Sequence, residues 1–559
     1  MSRPALRCAV ATVLLLLLAA QTSADDAKTG GADPGIAAAD QLYRAGKLVE
    51  AESSYRAFLK SSPGVVAAET GLVRTLLREQ KLDEPLEMVN AALAERPNSA
   101  ALLATKGDVQ FRRGELGSAE ISYIAAIRID PKEGRAYLGL ARIYTAYSLY
   151  RRAYDELLAA HQYAPDDVDV QREWLKTLPR KERLAALEAY LAGPHPDDER
   201  ETAWLRESLN FLKATVDKPA HACRLTGKVE RTQAKLEVMW ATAQRVRGVG
   251  LRVRLNGHNA RLLLDTGAGG ILVSRRVAEK AHLTRISAVH MGGIGDRGLQ
   301  SGYVAVADQI RIGELQFEDC VVRIADQRSV ADEDGLIGTD VFRAYLVDLD
   351  LPDMRLNLSP LPKRPDESAA PTSLNSVGEE PGTVERRESP PPQPGKQGDS
   401  SAGLSLRLPK DRYVAPEMAQ WTRVFRFGNL ILVPTRVNEL PPMLFCLDTG
   451  GFTNILSVRA GRQVTKVSSD DTLRVRGING YVKKVYSADK AVLEFGHLRQ
   501  KNLDVVTLDL SNLSRNAGTE ISGLLGFSML RLLEIKLDYR DGLVDVEYNP
   551  EHVQLLIPH

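Results

Sequence analysis

The sequence predicts a multi-domain chain: an N-terminal α-helical solenoid followed by two all-β domains. Three observations carry that expectation. Prolines fall at Pro63, Pro97, Pro131 and Pro165, a constant step of 34 residues. Past about residue 230, apolar and polar residues alternate with the period of half-buried strands. The tripeptide Asp-Thr-Gly occurs twice, at Asp265 and Asp448, each time closing an apolar run.

A chain of 559 residues is too long for one hydrophobic core, since domains run roughly 100–200 residues. The hydrophobic share of 44% and charged share of 26% are ordinary for a globular protein. With 73 basic against 72 acidic residues the net charge is +1, so no large basic field is implied and nucleic acid is not expected as a partner. Arg3 and Arg7 precede an apolar run from Cys8 to Ala20, broken only by Thr12, and Thr22-Ser23-Ala24 follows. This is the pattern of a signal peptide over 1–24. The chain is thus expected to be exported, to a periplasmic or extracellular location. An uncleaved anchor is the alternative, although the run is shorter than the roughly 20 residues a spanning helix needs. No other stretch is long and apolar enough, so no membrane span is expected in the mature chain.

Past that segment the cysteines are Cys223, Cys320 and Cys446. An odd number excludes a complete internal disulfide framework, while export permits a bridge. Cys320 and Cys446 sit in apolar, strand-like runs and are expected as buried free thiols. The nine His residues are scattered without a ligand-like pair, so neither a metal site nor a cofactor is expected.

The proline step brings other positions into register. Ala51, Ala119 and Ala153 recur where two helices would cross closely, and Ala92, Ala126 and Ala160 form a second small set. Gly46 and Gly114 mark turns, Gly107 and Ala141 a small site in the first helix, and Tyr55 and Tyr123 an interior aromatic slot. In the second unit Pro85 replaces the expected Ala, and Asp83 is expected to cap that helix and leave Pro85 in its first turn. This pattern resembles tetratricopeptide (TPR) repeats, whose period is 34 residues. The array is expected over 32–216, with 168–216 as capping helices. The resemblance implies a concave surface for an extended peptide or a protein partner.

In the first β region Val249, Leu251, Val253 and Leu255 alternate with Gly250, Arg252 and Arg254. Asn256-Gly257 is a hairpin turn, and Ala260 to Leu264 returns as a strand. The domain is expected over 230–362. Residues 363–403 are rich in Pro, Ser, Gly and Glu and cannot bury a core, so they read as a disordered linker. A second β domain follows over 420–550. The two are copies in one order. Leu262-Leu263-Leu264-Asp265-Thr266-Gly267 answers Phe445-Cys446-Leu447-Asp448-Thr449-Gly450, and a run ending in Ser274 answers one ending in Ser457. Gly292-Gly293-Ile294-Gly295 answers Gly477-Ile478-Asn479-Gly480, and Leu336-Ile337-Gly338 answers Leu524-Leu525-Gly526.

This constellation resembles the retropepsin-like aspartic peptidases, including bacterial exported relatives. The fold class is therefore an N-terminal α-helical TPR solenoid followed by two all-β retropepsin-like (acid protease) domains. The resemblance implies two lobes that face each other and bring one catalytic aspartate each, Asp265 and Asp448. It implies that Thr266 and Thr449 brace the opposite loop, that Gly267 and Gly450 permit close approach, and that Gly338 and Gly526 lie beneath. Gly293, Gly295, Gly477 and Gly480 would belong to flaps closing over substrate. Gly451 departs from the Ala, Ser or Thr of the family. The implied activity is endopeptidase cleavage of an extended peptide or protein substrate, the array recruiting substrate or adaptor. A non-catalytic peptide-binding scaffold is the alternative, and one intramolecular site or two homodimeric ones both remain open.

Overall fold

Repeat one of the array pairs α1 (Pro34–Arg44) with α2 (Leu48–Ser61), and repeat two pairs α3 (Val66–Arg78) with α4 (Asp83–Glu95). Repeats three and four follow as α5 (Ala100–Arg112) with α6 (Leu116–Ile129) and α7 (Gly134–Ala146) with α8 (Tyr150–Tyr163). Then come α9 (Val168–Leu175), α10 (Arg180–Ala192) and α11 (Glu199–Thr215). This computed structural model describes residues 33–218, 223–226, 229–242, 245–294, 299–326, 334–365, 410–477 and 480–552. The expected signal peptide, Gly295 and all of the expected linker past residue 365 lie outside the described residues.

Each 34-step proline falls between units, where a residue without an N–H ends a helix at no cost. Tyr123 packs its ring against Gly107 and also against Gly139, where a Cβ would lie 2.5 and 2.1 Å from it. Its hydroxyl donates to Asp108 at 2.8 Å. Asp83 departs from expectation. It is the first residue of α4 and caps nothing; its carboxylate instead accepts from Arg113 at 2.8 Å and from Arg459 at 2.6 Å.

Charged residues of separate array helices pair with one another. Arg78 of α3 meets Asp169 of α9 at 2.7 Å and Glu201 of α11 at 3.1 Å. Arg135 bridges Asp108, Asp167 and Asp169, while Arg172 binds Asp197 and Glu201. Burial opposes the charge on Asp169, but Arg78 and Arg135 outweigh it and hold the carboxyl well below the usual range.

The first lobe contains β1 (Arg224–Thr226), β2 (Thr232–Thr242), β3 (Arg245–Leu255), β4 (His258–Asp265), β5 (Ile271–Ser274), β6 (Thr284–Met291), β7 (Gln300–Ile312), β8 (Leu315–Ala325), β9 (Gly335–Gly338), β10 (Tyr345–Asp350) and β11 (Arg355–Pro360). In the second are β12 (Thr422–Arg423), β13 (Phe425–Phe427), β14 (Leu430–Val437), β15 (Met443–Asp448), β16 (Ile455–Ser457), β17 (Val467–Ser469), β18 (Arg476–Gly477), β19 (Gly480–Tyr481), β20 (Tyr486–Phe495), β21 (Leu498–Leu508), β22 (Gly523–Gly526), β23 (Leu533–Asp538) and β24 (Leu543–Tyr548). The lobes share one sheet. Strand β10 pairs antiparallel with β23, matching Val347 to Leu537 and Leu349 to Ile535. One apolar core runs through both, from Leu251 and Ile337 to Phe445 and Leu525.

Cys320 is not a free thiol. It forms a disulfide with Cys223 across 97 residues, while Cys446 is free and buried. Strand β1 lies against β8 with Leu225 opposite Phe317, which brings Cys223 to Cys320. Replacing Cys223 and Cys320 by Ser is expected to lower unfolding free energy by about 2–4 kcal/mol, read by urea denaturation of both forms. Equal midpoints would refute it.

The two ends of the interlobe join meet on one buried carboxylate. Arg364 ion-pairs with Asp541, and the Tyr413 N–H donates to the same Asp541 oxygen at 2.8 Å. Nearby, Asp411 accepts from the N–H groups of Arg151 and Arg152 at 3.1 and 3.2 Å, capping α8 from outside the array. A protease cut between residues 366 and 409 should therefore leave both fragments in one particle, checked by size-exclusion chromatography after native digestion. Separate elution of the fragments would contradict the shared sheet.

Repeats three and four dock onto the second lobe. Phe111, Leu116 and Tyr123 join an apolar layer with Leu432, Leu444 and Leu524, and Thr519 donates to the Phe111 carbonyl at 2.6 Å. Among the described residues no helix is long and apolar enough to cross a membrane, and no His, Cys, Asp and Glu group could hold a metal ion.

Candidate active site

Each Asp-Thr-Gly follows a strand that runs parallel to the apolar-apolar-Gly strand of its own lobe. Asp265 at the end of β4 lies opposite Gly338 of β9, and Asp448 at the end of β15 lies opposite Gly526 of β22. A Cβ on Gly338 would fall 2.4 Å from the Ala268 carbonyl, and one on Gly526 would fall 2.2 Å from that of Thr453. Both positions therefore need glycine beneath the loop.

The two loops are locked by a reciprocal set of bonds. Thr266 Oγ1 donates to the Leu447 carbonyl at 2.7 Å and accepts from the Thr449 N–H at 2.9 Å. Thr449 Oγ1 mirrors it, donating to the Leu264 carbonyl at 2.9 Å and accepting from the Thr266 N–H at 3.0 Å. Both threonines are fully buried. A hydroxyl there satisfies one carbonyl and one amide of the opposite lobe at once, which neither Val nor Ala can do.

That lock brings Asp265 and Asp448 together. A Cβ on Gly450 would lie 2.3 Å from the Asp265 carboxyl, and one on Gly267 3.0 Å from Asp448 Oδ1. Each carboxylate is aimed by its own loop: Asp265 Oδ1 accepts from the Gly267 N–H at 2.9 Å. Asp448 Oδ1 accepts from Gly450 and Gly451 at 3.1 and 2.9 Å. The unusual Gly451 has a local reason, since a Cβ there would lie 2.7 Å from Asp448 Oδ2. Burial first, and the neighbouring Asp448 second, push the Asp265 carboxyl up to about 8. Burial also raises Asp448, opposed by the N–H groups of Gly451 and Gly450 and by its hydrogen bond with Asp265. Burial and the proximity of the two carboxyls thus favour a proton shared by the pair over two ionised carboxylates.

Of the flap glycines, Gly293 lies in the segment joining β6 to β7, and Gly477 and Gly480 pair across the β18–β19 turn. The hairpins touch: a Cβ on Gly477 would lie 2.2 Å from the Ile294 carbonyl. Two supporting residues escaped the sequence reading. Buried Asp340 accepts from the Gly270 N–H at 2.9 Å, and burial pushes it up to about 6. Asn454 accepts from the Gly526 N–H at 2.8 Å and donates to Gln500 and Asn502. Both are ordinary polar residues in sequence, and only the fold places them under the loops.

Residues 251–341 and 433–529 match the aspartyl protease family. The chain is 32% identical over 146 residues to cellulose synthase operon protein C of Pseudomonas fluorescens, covering 24% of this chain and 11% of that protein. It is 25% identical over 195 residues to the UBA domain-containing protein Mud1 of Schizosaccharomyces pombe, covering 30% of this chain and 57% of that one. In both cases the chain spans less than two thirds of the relative's length. A thermophilic TPR protein of Thermus thermophilus, solved as a crystal structure, aligns with 20% identity and a TM-score of 0.25 over 32% of this chain and 97% of its own. One region in each β lobe thus matches the aspartyl protease family, and the two lobes follow a helical array whose proline step of 34 residues is the period of tetratricopeptide repeats.

Proposed function

We propose that the protein is an aspartic-type endopeptidase with one site, built from Asp265 and Asp448, acting on extended protein or peptide substrates. The observation that carries it is the pair of carboxylates held together by the reciprocal Thr266–Thr449 lock. In this reading the ionised Asp448 takes a proton from a water molecule whose oxygen attacks the scissile carbonyl carbon. Protonated Asp265 donates to the carbonyl oxygen as charge develops there. Asp448 then passes the acquired proton to the departing amine nitrogen. Thr266, Gly267, Thr449, Gly450, Gly338 and Gly526 hold this geometry, and the segments carrying Gly293, Gly477 and Gly480 exclude water.

The array contributes a surface for substrate or adaptor. Ile121 and Leu158, 71% and 47% exposed on α6 and α8, support a protein contact there. Export to the periplasm or beyond is supported by the pattern of residues 1–24 and by the Cys223–Cys320 bridge, since disulfides persist in oxidising compartments.

Cleavage of a diverse peptide mixture, with and without a transition-state-mimicking aspartic-protease inhibitor, tests the reading. Activity requires one proton on the pair. It should therefore fall as pH rises through about 8, where Asp265 loses its proton. It should also fall in acid as Asp448 is protonated, above the ordinary carboxylate range. No inhibitor-sensitive cleavage at any pH would leave the scaffold reading.

A further inference from the structure

Helix α11 packs along β6, the outer arm of the first flap hairpin. Glu207 of α11 grips one residue of that strand twice: its Oε1 accepts from the His290 backbone N–H at 2.9 Å and lies 2.6 Å from the ring Nδ1. Two turns away, Arg200 reaches the hairpin itself, where a Cβ on Gly292 would fall 2.5 Å from its guanidinium. At the far end Ile294 packs on the apolar layer between the array and the second lobe. The β6 arm is therefore held along its length by α11, and Ile294 beyond it rests on the layer below.

Helix α11 is itself fixed on its other sides. Asp198 and Glu201 close a capping box at its start. Glu201 reaches Arg78 at 3.1 Å and Arg172 at 3.0 Å, and Asp198 reaches Arg515 of the second lobe at 3.5 Å. One helix thus couples repeat two, the flap arm and the opposite lobe.

We propose that the array's partner includes this chain itself: α11 is a built-in restraint on the first flap, set by Glu207 at His290, and admitting substrate requires α11 and β6 to part. The kinetic consequence rests on the endopeptidase reading; the restraint rests on geometry alone. A strand arm with no outside partner would open by local fluctuation, whereas one clasped by a braced helix opens at the cost of those bonds.

The test uses the full chain and reads amide hydrogen exchange and peptide cleavage in parallel. Glu207→Ala is expected to raise exchange across residues 284–294 on the order of tenfold, leaving β4 and β15 unchanged. The same variant should raise kcat/KM for an extended peptide severalfold, because the open form binds first. His290→Ala, which keeps the backbone bond and loses only an exposed ring contact, should give a smaller rise in both. Unchanged flap exchange in Glu207→Ala overturns the restraint. Raised exchange with unchanged kcat/KM overturns its control of access. Absence of cleavage in wild type and variants alike counts against the endopeptidase reading, while the exchange result still decides the restraint.

Discussion

Asp265→Asn and Asp448→Asn are each expected to lower peptide cleavage by about a thousandfold or more, because neither amide can replace a carboxyl in the proton transfers. Mixing the two variants should restore nothing. The lobes already share the β10–β23 sheet and one core, so each chain pairs its own two loops and has no free lobe to exchange. Activity should therefore follow monomeric protein on a sizing column. Substantial activity in Asp448→Asn alone, or recovery on mixing, would refute the single intramolecular site. Unfolding cannot imitate the expected loss. Asp265 is raised to about 8 in the fold, against about 3.9 in an unfolded chain. A raised acid contributes stability that is complete below the unfolded value and lost as pH rises through the folded one. Asp265→Asn removes that pH-dependent loss, so its melting temperature should exceed wild type at pH near 8 and converge with it near 4. An inactive but more stable variant separates chemistry from folding.

Thr266→Val and Thr449→Val carry the second large effect. Valine keeps the shape but strands one carbonyl and one N–H of the opposite lobe in a fully buried site. Leaving two such groups unpaired costs about 2–6 kcal/mol. The loss should appear in chemical denaturation as well as in kcat, since the loops carrying Asp265 and Asp448 lose their register. Thr→Ser at either position keeps the hydroxyl and should recover most of both. Stability equal to wild type in Thr266→Val would show that the lock bears no load.

The architecture was legible wherever a local pattern repeats. The proline step located the breaks between units because a missing N–H acts on its own helix alone. The Asp-Thr-Gly and apolar-apolar-Gly runs located both loops because each glycine leaves room for an aspartate carboxyl or a backbone carbonyl that a Cβ would displace. What escaped depends on contacts distant in sequence. Cys320 reads as a core thiol, since its strand is apolar, and only the register of β1 against β8 brings Cys223 to it. Asp83 looks like a cap from its position before Pro85, but two arginines, one from the second lobe, claim its carboxylate. The ion pairs that join α3, α7 and α9 likewise have no signature in any one helix, because each partner lies on a different helix. The helix pattern of residues 168–216 reads as a cap on the array, and α9 packs against α8. Their further contact with the first flap has no signal in that pattern.

The anchoring of both join ends on Asp541 makes chain length between the lobes nearly irrelevant to their geometry. With Arg364 and Tyr413 pinned to one carboxylate, the spacing of the lobes is set at that carboxylate and not by the number of residues between them. Loop closure grows only with the logarithm of length, so doubling the stretch costs about 0.6 kcal/mol. Inserting residues into this join is therefore expected to leave both aspartates where they are.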